Sequence, residues 1–291
     1  MRRILVVSNP FAGGGEAVEV MEMYKRFADE QSDYEYYFYL TQAPEDFDGI
    51  SSAVDAYKPD VVSIVGGDGT LNEVLNVENV REKIIHIVPA GTGNDFHRLI
   101  YGECTVREAF ELSKSENIRK YDTGKCNDRY FINGVGIGFD GAVANETVRM
   151  KLSFMPMHWK YWISILKNIL FYKSTDVKLT YDGKTETRNA FLVDVANGTE
   201  CAGSFKISPL SKPDDGLLNL VLIRNVSRLK RMAKLNMVKK GKHMKDSAVY
   251  HQELKEIKIE SPKKLYAHLD GEIMSSTVFD ISISDQLKFV V

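Results

Sequence analysis

The sequence predicts an α/β domain built on a parallel sheet, followed by a β-rich second domain, and three observations carry that reading. Apolar, largely β-branched runs at 4–7, 61–65 and 84–88 suit strands buried on both faces. Each runs into a glycine-bearing turn: SNPFAGGG, GGDG and PAGTG. Helical spacing at 17–28 and 50–57 lies between these strands, so strand and helix alternate, whereas beyond residue 126 the pattern becomes short strands punctuated by turn dipeptides.

The stretch 61–74, VVSIVGGDGTLNEV, organises the first half. Gly66 and Gly67 let the backbone turn sharply and approach a ligand, and they leave Asp68 at the carboxyl end of a strand, where open α/β sheets bind ligands. Thr70 and Glu73 have capping-box spacing, which predicts a helix start. Its free N–H groups and positive dipole end favour a polyphosphate. No Walker-type lysine is present, so an acid among the glycines implies a divalent cation between Asp68 and the phosphates. A tight Asp-Gly turn is the simpler alternative. Repetition weighs against it: 84–88 leads into PAGTGNDFHR, 4–7 leads into SNPFAGGG, and the aromatic strand Tyr34–Leu40 ends at Thr41. Several loops on one edge of one sheet make a nucleotide crevice.

A chain of 291 residues with 44% hydrophobic and 27% charged residues can bury two cores. The N-terminus, MRRILVVSNP, has too short an apolar run for a signal peptide, and no stretch is long and apolar enough to span a bilayer. Cys104, Cys126 and Cys201 are odd in number and lack zinc spacing, so the expectation is a cytoplasmic protein without disulfides. The net charge of −2 hides a split: 1–122 hold 12 Lys and Arg against 22 Asp and Glu, net −10, and 123–291 hold 26 against 18, net +8. One half is thereby suited to an anionic surface.

The boundary is placed near 122–126, giving an α/β nucleotide-binding domain over 1–122 and a β-rich domain over 123–280, with 281–291 free to pack back on the first. Helix is expected at 106–113. Strands are expected at 130–133, 177–181, 190–196, 217–223, 254–260, 265–268 and 279–283. Two segments interrupt them. The stretch 150–172 is rich in Trp, Tyr, Phe and Met and reads either as a core helix or as a lipid-facing surface. The stretch 224–245 holds nine Lys and Arg and no acid around an apolar strip of Leu229, Met232, Leu235 and Val238. It is either a solvated helix face or a basic amphipathic helix for anionic headgroups.

GGDGTLNEV at 66–74, PAGTGNDFHR at 89–98, NGVGIGFDGAV at 133–143, SPLSKPDDGLLNL at 208–220 and HLDGE at 268–272 resemble, in order and spacing, the diacylglycerol kinase catalytic-domain family, which includes bacterial lipid kinases and sphingosine and ceramide kinases. GGDGT by itself also resembles NAD kinases and phosphofructokinases; the later blocks make the likeness specific. The resemblance implies a three-layer α/β domain, a C-terminal β-sandwich and an ATP site in the cleft between them. Matched by position, nucleotide contacts would be Asn9, Pro10, Phe11, Ala12, Gly13, Thr41, Gly66, Gly67, Asp68, Gly69, Thr70, Leu71, Asn72 and Thr92. Asp68 and Asp122 would hold Mg²⁺. A second, structural Mg²⁺ would take the Asp215 carboxylate and the backbone oxygens of Lys212 and Leu217. Glu272 matches the family's general base, with Asp68 as its rival and a plain turn as the alternative for 270–272. Asn94, Asp95 and Arg98 would shape the cleft toward phosphate or lipid headgroup.

The expectation is an ATP- and Mg²⁺-dependent lipid kinase that phosphorylates the hydroxyl of diacylglycerol to phosphatidic acid, peripherally bound at the inner membrane face. Another lipid alcohol, such as a sphingosine-like base or a prenol, stays open as acceptor. An NAD kinase is the nearest enzymatic rival, and a lipid-binding protein on a degenerate kinase fold the non-enzymatic one. No motif supports nucleic-acid binding, and a homodimer is compatible with the chain. Gly136, Gly138 and Gly141 match the dinucleotide fingerprint by pattern only, since no βαβ unit follows.

Overall fold

A computed structural model of the chain describes residues 1–151, 155–201, 203 and 205–291; residues 152–154 of the aromatic segment lie outside it. The chain divides into two compact units, Met1–Thr123 with Asp285–Val291, and Gly124–Ser284.

In the first unit β1 (Arg2–Ser8), α1 (Glu16–Asp29), β2 (Tyr34–Leu40), α2 (Phe47–Tyr57), β3 (Val61–Gly66), α3 (Asp68–Leu75), α4 (Glu78–Arg81), β4 (Ile84–Pro89), α5 (Asp95–Tyr101), α6 (Val106–Leu112) and β5 (Ile118–Tyr121) follow one another. β1 pairs in parallel with both β2 and β3, and β3 with β4, giving the order β2-β1-β3-β4. The C-terminal strand Leu287–Val290 continues the sheet between β4 and β5. The chain winds one way from β1 to β2 and the other way from β3 to β4. A crevice therefore opens at the carboxyl ends of β1 and β3, where the winding reverses. Every residue of β3 is buried, as its β-branched run requires.

α3 begins at Asp68 with Gly67 as N-cap, and the capping box expected from Thr70 and Glu73 does not form. Glu73 is instead turned to the backbone N–H of Asp46 (2.9 Å) and the Asn9 amide (3.5 Å), and Thr70 packs beside Gly66. The capping box that does form, Thr105 with Glu108 at the start of α6, was not singled out in the sequence.

The second unit contains β6 (Gly124–Cys126), β7 (Arg129–Phe131), β8 (Gly134–Gly138), α7 (Phe139–Arg149), α8 (Met157–Phe171), β9 (Thr175–Tyr181), β10 (Lys184–Ala190), β11 (Leu192–Ala196), β12 (Leu218–Ile223), α9 (Arg228–Lys239), β13 (Val249–Leu254), β14 (Glu256–Leu269) and β15 (Glu272–Ile283). All pairings are antiparallel, in the order β13-β12-β11-β8-β14-β15-β6-β7, with β9 joining β14 to β10. Residues from both ends of that path, Phe131 and Leu254 among them, meet in one core with Ile137, Leu179, Leu220 and Phe279, so the sheet folds over on itself. β14 turns the corner: its end pairs with β8 and its beginning with β9.

Three strand expectations need correction. Leu254 closes β13, and the rest of the piece read at 254–260 joins that read at 265–268 in the single strand β14, whose register shift between Glu260 and Leu265 absorbs Pro262. The run read as one strand at 190–196 spans the end of β10 and all of β11. The strand read at 130–133 ends at Phe131, and the glycine-rich GVGIG that follows is itself the buried strand β8.

Candidate active site

The loops after β1, β3 and β4 converge because their strands are adjacent and parallel. The β3 and β4 turns touch backbone to backbone: a Cβ on Gly91 would lie 2.4 Å from Gly67 Cα, so no side chain fits there. Asn94, in the left-handed region at φ 54, closes the β4 loop by accepting from the Gly91 N–H (3.1 Å) and donating to the Gly91 carbonyl (2.7 Å). Asp68 ties the two turns together. Its carboxylate accepts the backbone N–H groups of Asp95 (2.9 Å) and Phe96 (3.0 Å), so it caps α5 from the first turn of α3.

Asp95 is buried and pairs with Arg98, whose guanidinium also donates to the Gly93 carbonyl. These contacts brace the β4 loop. On the β1 side the Asn9 amide oxygen accepts the Phe11 N–H (2.9 Å), which leaves the Phe11 ring 72% exposed beside Pro10, and a 3-10 turn spans Ala12–Gly15, covering Gly13. Glu73, which holds Asn9, has its pKa raised by burial. Gly69, Thr70, Leu71 and Asn72 lie in the first turns of α3, with Asn72 fully buried; Thr92 is exposed on the β4 loop. The Thr41 N–H donates to the Ser8 carbonyl (2.9 Å), and the buried hydroxyls of Ser8 and Thr41 have no hydrogen-bond partner among the described residues. Asp122 is buried and accepts from Gln286 (2.8 Å).

In the second unit Leu269 and Glu272 face each other across a two-residue hairpin turn in which Asp270 (φ 48) and Gly271 (φ 102) both have positive φ. Asp270 accepts the N–H groups of Ile132 (2.7 Å), Asn133 (2.9 Å) and Gly134 (2.9 Å). That clamp fixes the turn from which Glu272 projects, and Glu272 is exposed. Asp215 lies on the loop before β12 and accepts the Leu217 N–H (3.0 Å), while Lys212 is exposed.

A cluster that the sequence did not announce surrounds Gly136. The glycine pairs with Asp194 of β11 on one side and His268 of β14 on the other. His268 Nε2 is 2.9 Å from Asp140 Oδ2, and the Cys201 thiol also points at that oxygen (3.8 Å). Burial, reinforced by the Asp140 charge, pushes Asp194 up to about 8. Burial works to lower the His268 pKa, but the Asp140 carboxylate, together with Asp194 and Asp270, outweighs it and the net shift is upward. The only advance signal was the acid of GFDG standing just beyond a glycine-rich run. The fingerprint at 136–141 therefore serves packing: β8 runs antiparallel to its neighbours, and a Cβ on Gly141 would lie 2.2 Å from the Tyr266 carbonyl oxygen.

Asp140 also lines a pocket, open in part to solvent, with otherwise mostly apolar walls. Phe139 and Phe191 form one side, Ile165 and Ile169 of α8 another, and Leu235 and Val238 of α9 a third.

Comparisons with known proteins carry the assignment further. Residues 3–126 match the family model described as the diacylglycerol kinase catalytic domain, and residues 133–287, more than half the chain, match the YegS C-terminal NAD kinase beta sandwich-like domain. A diacylglycerol kinase of Staphylococcus haemolyticus (strain JCSC1435) is 30% identical over 248 residues, which are 84% of this chain and 74% of that protein. The chain belongs to the diacylglycerol kinase family. A second relative in the family, from Staphylococcus carnosus (strain TM300), is 27% identical over 279 residues, 93% of this chain and 89% of that protein. A crystal structure described as a diacylglycerol kinase from Bacillus anthracis str. Sterne superposes with a TM-score of 0.70 at 21% identity, over 99% of this chain and 96% of that one, and shares the fold. Members are kinases, so the chain is a phosphotransferase with an alcohol as acceptor, and the family implies ATP as donor.

The first unit fits that donor. A glycine cradle that no Cβ could enter, the N-terminus of α3 and two buried hydroxyls without a partner among the described residues lie at the carboxyl edge of its sheet. Among the described residues no three His, Cys, Asp or Glu side chains gather into a metal site. A hard cation held by one or two carboxylates together with phosphate oxygens and water needs no such cluster.

Proposed function

We propose that the protein is an ATP- and Mg²⁺-dependent kinase that phosphorylates the hydroxyl of diacylglycerol to phosphatidic acid, working in the cytoplasm against the inner face of the membrane. The observation that favours a lipid acceptor is the cavity walled by α7, α8 and α9, which is apolar enough to take hydrocarbon chains. The names of the curated relatives point to diacylglycerol among lipid alcohols.

In this reading the N–H groups of 66–72 and 9–13 hold the phosphates, with Thr41 and Thr92 at the margins of the nucleotide. Asp68 and Asp122 would hold Mg²⁺, which neutralises charge on the transferring phosphoryl group. Asp68 would reach it from the turn after β3, where its carboxylate also accepts the N–H groups of Asp95 and Phe96. Asn94, Asp95 and Arg98 act by setting the shape of the β4 loop. Glu272 accepts the proton of the acceptor hydroxyl, an effect worth about 10²–10⁴-fold. Asp215, with the backbone oxygens of Lys212 and Leu217, would hold a second cation that braces the loop before β12.

ATP consumption on mixed micelles containing diacylglycerol, sphingosine, ceramide or a prenol, and on NAD in solution, tests the proposal. Turnover confined to diacylglycerol, and its loss in Glu272→Gln with ATP binding retained, is expected. Turnover of NAD alone would overturn the acceptor class, and a fully active Glu272→Gln would shift the proton transfer to Asp68.

A further inference from the structure

The acid that left its expected helix cap has taken on a different task. Glu73 lies in the second turn of α3, 7% exposed, and its two carboxylate oxygens serve two different loops. Oε1 accepts the backbone N–H of Asp46 (2.9 Å), and Oε2 faces the Asn9 Nδ2 amide (3.5 Å). Asn9 stands just past the end of β1, and Asp46 closes the loop between β2 and α2. One side chain on the segment after β3 thus holds the loops of two neighbouring strands. The Asp46 carboxylate in turn accepts the Tyr39 hydroxyl (2.7 Å) and the Gln42 N–H (2.8 Å), so the loop that carries Thr41 hangs on the residue that Glu73 fixes.

The chemistry at each oxygen is dictated. A backbone N–H can only donate, so the Asn9 atom that takes the Phe11 N–H (2.9 Å) is its carbonyl oxygen, and the group turned to Glu73 is the N–H₂. Asp46 presents a donor as well. Glu73 therefore meets a donor at each oxygen, and only a carboxylate offers an acceptor to both. Burial raises its pKa, and the donors at Asp46 and Asn9 work against that rise. A buried carboxyl kept here, in place of a ready helix cap, marks a functional constraint.

We propose that Glu73 is a positioning residue of the nucleotide site: by fixing the orientation of the Asn9 amide and the backbone of Asp46, it holds the loops after β1 and β2 in place before nucleotide arrives. The proposal rests on the kinase reading and deepens it. Glu73 acts through Asn9, whose carbonyl oxygen shapes the turn at 9–13, and through the loop that carries Thr41. Loops ordered in advance raise affinity, because binding no longer has to order them.

Glu73→Gln tests this, since the amide keeps one acceptor and turns the other into a donor. Its oxygen can still serve Asp46, and its N–H₂ then meets the Asn9 N–H₂. Asn9 can flip away from that clash only by turning its own N–H₂ on the Phe11 N–H. In the free protein, hydrogen exchange at the Phe11 amide should quicken roughly tenfold. Calorimetric titration with Mg²⁺ and a non-hydrolysable ATP analogue should show affinity lower by roughly tenfold, and the KM for ATP should rise alike with kcat within about twofold. Asn9→Asp sets two carboxyl groups face to face and weakens binding by itself. Adding Glu73→Gln to Asn9→Asp restores a donor–acceptor match and should strengthen binding, a reversal of sign that general damage to the fold does not produce. Analogue affinity and Phe11 exchange left at wild-type values by Glu73→Gln would overturn the role of Glu73 and leave the kinase reading standing. Equal losses of affinity on the Asn9 and Asn9→Asp backgrounds would also overturn it, as plain destabilisation. Faster Phe11 exchange in a protein that binds no nucleotide would uphold Glu73 as anchor of the β1 loop and refute the kinase reading.

Discussion

His268 and Asp140 meet at 2.9 Å in the space where Gly136 would carry a side chain: a Cβ there would lie 2.5 Å from both His268 Nε2 and Asp140 Oδ2. A buried carboxylate and imidazole are tolerable only while they face each other. Gly136→Ala drives a methyl group between them, and neither partner can move far in a packed interior. The expected loss is about 3–5 kcal/mol of stability, the range for breaking a buried pair, read by urea unfolding followed on the second unit.

The same cluster sets a pH dependence. Unfolded Asp194 ionises near 3.8, while the folded side chain keeps its proton up to about 8, so folding is increasingly disfavoured as pH rises between those values. His268, raised above 6.5 in the fold, contributes fully below 6.5 and loses that contribution as pH climbs through its folded value. Both push the same way above pH 6.5, at up to about 1.4 kcal/mol per pH unit for each proton. In the first unit burial lowers His86 to about 3 and His97 to about 4, so stability there rises from about pH 4 to 6.5. Above pH 6.5 the second unit should therefore lose stability, and Asp194→Asn should flatten that decline between pH 6.5 and 8. An unchanged slope in that variant would show that Asp194 is not the titrating group.

Asp270 holds three backbone N–H groups at once, two of them on Oδ1 and one on Oδ2. Asp270→Asn aims an amide N–H₂ at one of these donors and should cost about 2–3 kcal/mol. The turn carrying Glu272 then loses its clamp. Turnover number is expected to fall about tenfold or more, with the KM for ATP within about twofold, because placement of Glu272, the proposed base, and not nucleotide binding is disturbed. Equal changes in both constants would indicate general loosening of the fold.

Much of the architecture was legible before any coordinates. Uninterrupted β-branched runs ending in glycine announce parallel strands and their ligand-binding edge, because few other structures bury both faces of so short a segment. β1, β3 and β4 lie where those runs were read. Periodicity also located α1, α2, α8 and α9. It failed where local rules were overridden: Glu73 left its expected cap for Asp46 and Asn9, and Pro262 interrupted a pattern that a bulge carries through as one strand.

The candidate site divides in the same way. The motif residues of the two glycine turns were visible as residue types at fixed spacing, a signal that survives without any fold. That Asp68 caps α5, that Asp270 clamps three N–H groups, and that Asp140, Asp194 and His268 crowd one glycine were not visible. Those partners are separated by 27 to 138 residues of chain, and no local pattern encodes such encounters. For 150–172 the sequence offered a core helix or a lipid-facing one. α8 turns apolar residues both inward and outward, and only the packing of its neighbours decided which side was covered.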